Sequence, residues 1–168
     1  MAGIRNGVIV IACLAFTCGA AHAQIVPPDA PQHRGIAAEA VAFLFPEQVA
    51  VPAGRPSPVA LHFRIAQGLH INSHTPSGES LIATVFSIPP GGSVRLDGIN
   101  YPAGTDITLA LDPKTKLSVY TGDFTLAARI VSAPGHHTVD AKLRYQACDR
   151  NECMPPKTIT VPIDVNAN

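Results

Sequence analysis

Thr138-Val139-Asp140-Ala141-Lys142-Leu143-Arg144-Tyr145-Gln146-Ala147-Cys148 is the stretch of this 168-residue chain that decides its fold. Val139, Ala141, Leu143, Tyr145 and Ala147 alternate with polar neighbours. A period of two puts the first set in a core and leaves the second facing water, which is the pattern of a half-buried β-strand. Cys148 falls in the polar set and is expected to face solvent. Downstream, Ile159, Val161, Ile163 and Val165 form the apolar face of a second strand. Unbroken alternation back from Ile159 would turn Cys153 inward, opposite to Cys148, and a disulfide with Cβ atoms about 3.8 Å apart could not close. Met154-Pro155-Pro156 is therefore expected to interrupt the ladder, because proline brings no N–H donor. That break would swing Cys153 to the outer side.

Outward from this pair of strands the same texture continues. Sixteen prolines and 13 glycines separate short runs rich in Val, Ile, Thr and Leu, as expected for strands joined by turns. Strand candidates lie near Ala40–Phe45, Val59–Ala66, Leu81–Ile88, Val94–Ile99, Thr105–Leu111, Leu117–Tyr120, Phe124–Val131, His137–Ala147 and Thr158–Val165. About eight or nine short strands without βαβ alternation point to an all-β antiparallel sandwich.

The N-terminus reads differently. Arg5, an apolar run from Val8 to Phe16 and Ala21-His22-Ala23 before Gln24 have the layout of a cleaved secretory signal peptide over residues 1–23. A lipoprotein site at Val10-Ile11-Ala12-Cys13 is the alternative, with a short apolar run before its cysteine. The run is too short for a membrane span of about 20 residues. Residues 24–35, with Pro27-Pro28 and Pro31, read as an extended leader, and residues 36–168 as one domain. Removing the first 23 residues would take Cys13 and Cys18 away and leave Cys148 and Cys153 as the remaining thiols, in an oxidising compartment. It would also leave 11 basic against 12 acidic residues, a balance that offers no basic field to nucleic acid or anionic lipid.

A disulfide in an exported domain is ordinarily a staple. Here the loop it closes has about six residues, and chain entropy credits such a loop with only about 2 kcal/mol, against about 3 for fifteen residues. An exposed bond between hairpin neighbours tends to exchange more readily. Asp149 and Glu152 disfavour a thiolate while Arg144, Arg150 and Lys157 favour one. A strand and turn lack the helix N-terminus that acidifies a thioredoxin-type cysteine.

Tyr145-Gln146-Ala147-Cys148, a short turn, and Cys153-Met154-Pro155-Pro156-Lys157-Thr158 resemble the active-site hairpin of the N-terminal periplasmic domain of the thiol:disulfide interchange protein DsbD. Gly68-Leu69-His70-Ile71-Asn72-Ser73, the Leu81–Pro89 segment, Tyr101-Pro102 and Ser118-Val119-Tyr120-Thr121-Gly122-Asp123-Phe124 extend the resemblance over roughly Phe43 to Val165. It implies an immunoglobulin-like sandwich in the periplasm, a monomer without cofactor. Its cysteines would take electrons from a thioredoxin-like domain and pass them to oxidised thiol proteins such as disulfide isomerases and cytochrome c maturation factors. By position, Cys148 would form the mixed disulfide with partners and Cys153 would resolve it. Tyr145 and Gln146 would support the hairpin, and Pro155 and Pro156 would shape its exit. Some members of the family space their cysteines one residue further apart. Their flexible capping loop corresponds to about Asp112–Tyr120 here, where Tyr120 is the first aromatic. The membrane conduit and thioredoxin-like domain that follow in full-length DsbD are absent from this sequence, so an electron donor in trans is implied.

Two other classes compete. The cysteines with a histidine could hold a soft ion such as copper or zinc. However, His70 and His74 on one strand face would lie about 13 Å apart, His136-His137 after Pro134-Gly135 read as a solvated turn, and His62 shares a polar face with Arg64, so each histidine is read as a surface residue. Alternatively, a stapled sandwich could bind another protein through its loops or edge strands. Ser77-Gly78-Glu79-Ser80 lacks the setting of a nucleophile elbow, and Pro89-Pro90-Gly91-Gly92 lacks a phosphate-loop lysine.

Overall fold

The computed structural model describes residues 40–44, 48–78, 80–109 and 112–168. The expected signal peptide and leader lie outside them. Twelve strands are seen among the described residues: β1 (Val41–Phe43), β2 (Gln48–Val51), β3 (Ser57–Ile65), β4 (His70–Asn72), β5 (Val85–Ser87), β6 (Val94–Asn100), β7 (Thr105–Leu109), β8 (Asp112–Tyr120), β9 (Asp123–Ser132), β10 (Gly135–Tyr145), β11 (Ala147–Cys148) and β12 (Lys157–Ala167). They form three four-stranded sheets, ordered β1-β3-β9-β6, β2-β12-β10-β5 and β11-β4-β8-β7. Pairing is antiparallel except where β2 runs parallel to β12. The chain is thus an all-β, immunoglobulin-like sandwich.

Alternation builds its two large sheets. In β3 and β9 every second side chain is buried along most of the strand, and the inner ends of β10 and β12 behave likewise. Phe63, Leu126 and Ile130 from one sheet and Leu143, Tyr145, Val161, Ile163 and Val165 from the other share a single core. Phe63 lies 5.3 Å from Phe43 and 5.1 Å from Phe124, ring to ring.

The third sheet is short and closes one side of this core through Ile71, Tyr120 and Ala147. Strands β2 and β4 are not among the strand candidates, since three or four residues carry too little periodicity to register, and Ala147 and Cys148, read as the end of the strand from His137, form a separate β11. The expected strand over Leu81–Ile88 contracts to β5. Upstream of it, the backbone donors go to other partners, Ile82 N to Gln146 Oε1 and Thr84 N to Ser73 O. The expected capping loop at Asp112–Tyr120 is strand β8, held in register against β7 from Thr105↔Val119 to Thr108↔Lys116. His136 and His137, expected in a turn, open β10 opposite Asn166 and Val165. Gly104 marks a close approach beside β8: a Cβ there would collide with Ser118 Oγ and sit 2.9 Å from Ser73 Cβ.

Candidate functional site

Strand β10 runs opposite β12 as far as Tyr145↔Lys157. Gln146 then leaves the ladder, and the chain resumes as β11 in a different sheet, with Ala147 opposite Ile71 and Cys148 opposite His70. On the return, Met154, Pro155 and Pro156 belong to no strand, so the ladder is interrupted where the prolines predict. Cys148 and Cys153 face each other in an isolated antiparallel bridge. They form a disulfide with their Cα atoms 4.0 Å apart.

The expectation that Cys148 faces solvent is corrected. Its residue is 2% exposed, whereas Cys153 is exposed. Alternation assumes that one face of a strand meets water. Strands β4 and β11 are instead buried at every position, so the polar face that the pattern assigns to Cys148 is covered too.

The four residues between the cysteines make their own turn. Asp149 N donates to Glu152 O at 3.0 Å, and Asp149 Oδ1 accepts from the amides of Asn151 at 2.7 Å and Glu152 at 2.9 Å. An aspartate that bonds its own backbone two residues on is the standard stabiliser of such a turn. These two amides, Asn151 first, hold the Asp149 carboxyl below its ordinary 3.8, with a smaller contribution from His70. A carboxyl lowered in the folded state contributes stability above its unfolded pKa and loses it as pH falls through the folded value. The Asn151 and Glu152 amide resonances are therefore expected to shift together, with a midpoint below 3.8, in an NMR acid titration. A midpoint at or above the ordinary value would contradict the turn geometry.

Gln146, which leaves the ladder, fastens the hairpin to its surroundings. Its Oε1 accepts from Asn72 Nδ2 at 3.2 Å and Ile82 N at 3.3 Å, and its Nε2 donates to Met154 O at 3.2 Å. Asn72 N donates to Gln146 O, and Met154 N to Ala147 O at 2.8 Å. Asn72 Nδ2 also donates to Ile82 O, and Thr84 Oγ1 to Asn72 O. One carboxamide thus ties β4, the approach to β5 and the exit of the hairpin.

The other sequence-derived candidates are placed as follows. Tyr145 is a core side chain, 1% exposed. Pro155 and Pro156 are exposed next to Cys153. Tyr120 is buried and stacks on Phe124 at 5.2 Å. Its hydroxyl donates to Pro102 O and accepts from His74 N, and burial pushes its pKa up. It pairs with Ile71, two strands away from Ala147, so the fold does not bring it to the cysteines.

An open groove of about 970 Å³ borders the hairpin, with Leu69, His70, Ile107, Thr121 and Arg150 in its walls. On its rim Arg64 holds Asp123 through two bonds of 2.7 and 2.8 Å. His70, read from the sequence as a surface residue, is 7% exposed. It follows a turn in which Leu69 N donates to Ala66 O and Gly68 has φ +82°, the glycine-demanding conformation of a type II turn. Three buried residues after a turn give a periodicity argument nothing to detect, so position 70 was missed. Among the described residues no group of three or more His, Cys, Asp or Glu side chains could hold a metal ion, and no helix is long and apolar enough to cross a membrane.

An immunoglobulin-like sandwich that carries a disulfide across a strand-switching hairpin defines the class. The model of the N-terminal domain of the thiol:disulfide interchange protein DsbD matches residues 40–164, and the chain belongs to that family. Among solved structures it is similar to the DsbD N-terminal domain of Neisseria meningitidis in its reduced form. That match has 21% identity and a TM-score of 0.45 and covers 69% of this chain and 82% of that one. It is also similar to the N-terminal periplasmic domain of ScsB from Proteus mirabilis, with 13% identity and a TM-score of 0.52, over 68% of this chain and 43% of that one. At 13% identity the likeness to the ScsB domain is one of fold. No curated protein matches the chain.

Proposed function

We propose that the chain is an exported thiol–disulfide exchange module. In this reading it accepts reducing equivalents from a thioredoxin-like donor and passes them to oxidised periplasmic thiol proteins, of the disulfide isomerase or cytochrome c maturation type, through Cys148 and Cys153. Family membership supports the chemistry. The observation that carries the reading is that the hairpin is fastened by hydrogen bonds beside the disulfide. Asp149 closes the turn, and Met154 N and Gln146 Nε2 tie its exit, so the hairpin has fastenings besides the sulfur bridge. That bridge adds only about 2 kcal/mol by loop entropy.

Exposure also favours a division of labour opposite to the one the resemblance implies. Attack by a partner thiolate requires an accessible sulfur in line with the S–S bond. Cys153 is the exposed residue, flanked by exposed Glu152, Pro155 and Pro156. In this proposal Cys153 therefore forms the mixed disulfide and buried Cys148 is the leaving and resolving sulfur. Single-cysteine variants test this, as argued in the Discussion.

Export rests on the signal-peptide pattern and on the periplasmic setting of the family. Expressed with its full N-terminus in a Gram-negative host, the protein is expected to appear in the periplasmic fraction with an N-terminal sequence starting at Gln24. Retention in the cytoplasm with Met1 intact would refute it.

A further inference from the structure

The exchange chemistry needs a proton at a place that water reaches poorly. When a partner thiolate attacks Cys153 Sγ, the S–S bond breaks and its electron pair goes to Cys148 Sγ, in a residue only 2% exposed. A thiolate left there is disfavoured by burial and by the adjacent Asp149 carboxylate.

His70 stands directly opposite Cys148 in the β4–β11 ladder. Directly opposed residues of an antiparallel pair project from the same face, with Cβ atoms about 4.5–5.5 Å apart. The imidazole is buried, and its Nε2 has no hydrogen-bond partner among the described residues. Buried polar atoms are nearly always paired, and an orphan calls for an explanation. The oxidised pair supplies one, since a disulfide sulfur is a poor acceptor, whereas a thiolate released at Cys148 is a strong one. Reduction of the bond is the event that would place such an acceptor across the ladder from the ring. The ring also borders the open groove, through which it can exchange protons with water.

We propose that His70 is the proton-transfer residue of the Cys148–Cys153 couple. As the bond opens, the partner's sulfur bonds to Cys153 Sγ, and the proton on His70 Nε2 moves to the departing Cys148 Sγ, leaving a neutral imidazole and a buried thiol. The partner's second thiolate then attacks its own sulfur in the mixed disulfide and releases Cys153 as a thiolate, which takes a proton from water. Two electrons and one proton from water have then entered this chain, the second thiol proton having come from His70, which regains it from water through the groove, and the partner has become a disulfide. In the reverse direction His70 removes the Cys148 proton, and the new thiolate attacks Cys153 Sγ to expel the target. The charged and titratable groups around the ring are Cys148 on β11, Asp149 and Arg150 in the turn, and the Arg64–Asp123 pair on the groove rim. Burial lowers the His70 pKa, with Asp149 opposing, so its acid form is confined to lower pH than that of an ordinary imidazole and is lost as pH rises.

This inference rests on the exchange reading but can be tested without a protein partner. In ring-labelled wild-type protein, the His70 resonances are expected to titrate at clearly different pH in the oxidised and dithiothreitol-reduced forms, by about one pH unit or more. Stopped-flow reduction of His70→Gln by the same dithiol is expected to be on the order of 10²-fold slower than wild type near pH 5. The deficit should shrink toward none above pH 8. Identical His70 titration in the two redox states would overturn the proposal, as would a rate deficit that does not change with pH, which would mean a packing role. The wild-type titration decides the matter even if the variant fails to fold. If the small dithiol shows the effect and no thioredoxin-like protein reacts, the relay reading fails while the role of His70 stands.

Discussion

Replacing Cys148 with serine is expected to trap the protein on its partner, and replacing Cys153 is expected to slow the reaction by on the order of 10²-fold. The assay uses a thioredoxin-like protein that lacks its own resolving cysteine and whose remaining thiol carries a chromogenic aromatic thiol as leaving group. In Cys148→Ser the exposed Cys153 attacks, the leaving group is released, and with no second thiol to resolve it the mixed disulfide accumulates. In Cys153→Ser the remaining thiol is that of a residue 2% exposed, and adduct formation should be slower by on the order of 10²-fold, because exchange depends on access to the attacking sulfur. Both variants should stay folded. The bridge closes a loop between residues five apart in sequence, worth about 2 kcal/mol, and the backbone bonds of the turn survive its loss. Faster adduct formation by Cys153→Ser would restore the roles that the family resemblance implies. No adduct with either variant, alongside a lowered melting temperature, would make the disulfide a staple and the domain a binding module.

The second large effect is expected at Gln146. Leucine is close in size but has no polar atoms, so Gln146→Leu removes an acceptor from Asn72 Nδ2 and Ile82 N and a donor from Met154 O. The site is partly buried, and an unsatisfied polar group there costs about 1–3 kcal/mol. Asn72 Nδ2 keeps its bond to Ile82 O, which softens the loss. A net destabilisation of about 2–4 kcal/mol is expected in urea unfolding. Amide exchange should accelerate at Ile82 and Met154 while the β3–β9 ladder stays protected. A loss below about 0.5 kcal/mol, the range of an ordinary surface substitution, would show that Gln146 does not fasten the hairpin.

The broad architecture was legible because alternation needs only one buried face. Val139 to Tyr145 and Ile159 to Val165 fall as the pattern predicts, and Met154-Pro155-Pro156 breaks the ladder because two prolines cannot donate to it. The candidate site was legible in part. Chain proximity and residue type pick out the cysteines, and Gln146 and the prolines follow from the motif. Tyr120 stands on the expected stretch, but its hydroxyl is engaged by Pro102 and His74.

The sequence by itself therefore determined an all-β chain, most strands of the two large sheets and the presence of a cysteine hairpin interrupted by proline. Tertiary structure alone decided which cysteine is covered, what Gln146 binds and what stands opposite Cys148. The physical reason is separation along the chain. Gln146 meets Asn72 across 74 positions, and Cys148 meets His70 through a pairing between two strands of two and three residues. Periodicity reports how a strand divides its own faces. It does not report what a distant strand lays over the face that the pattern leaves to water.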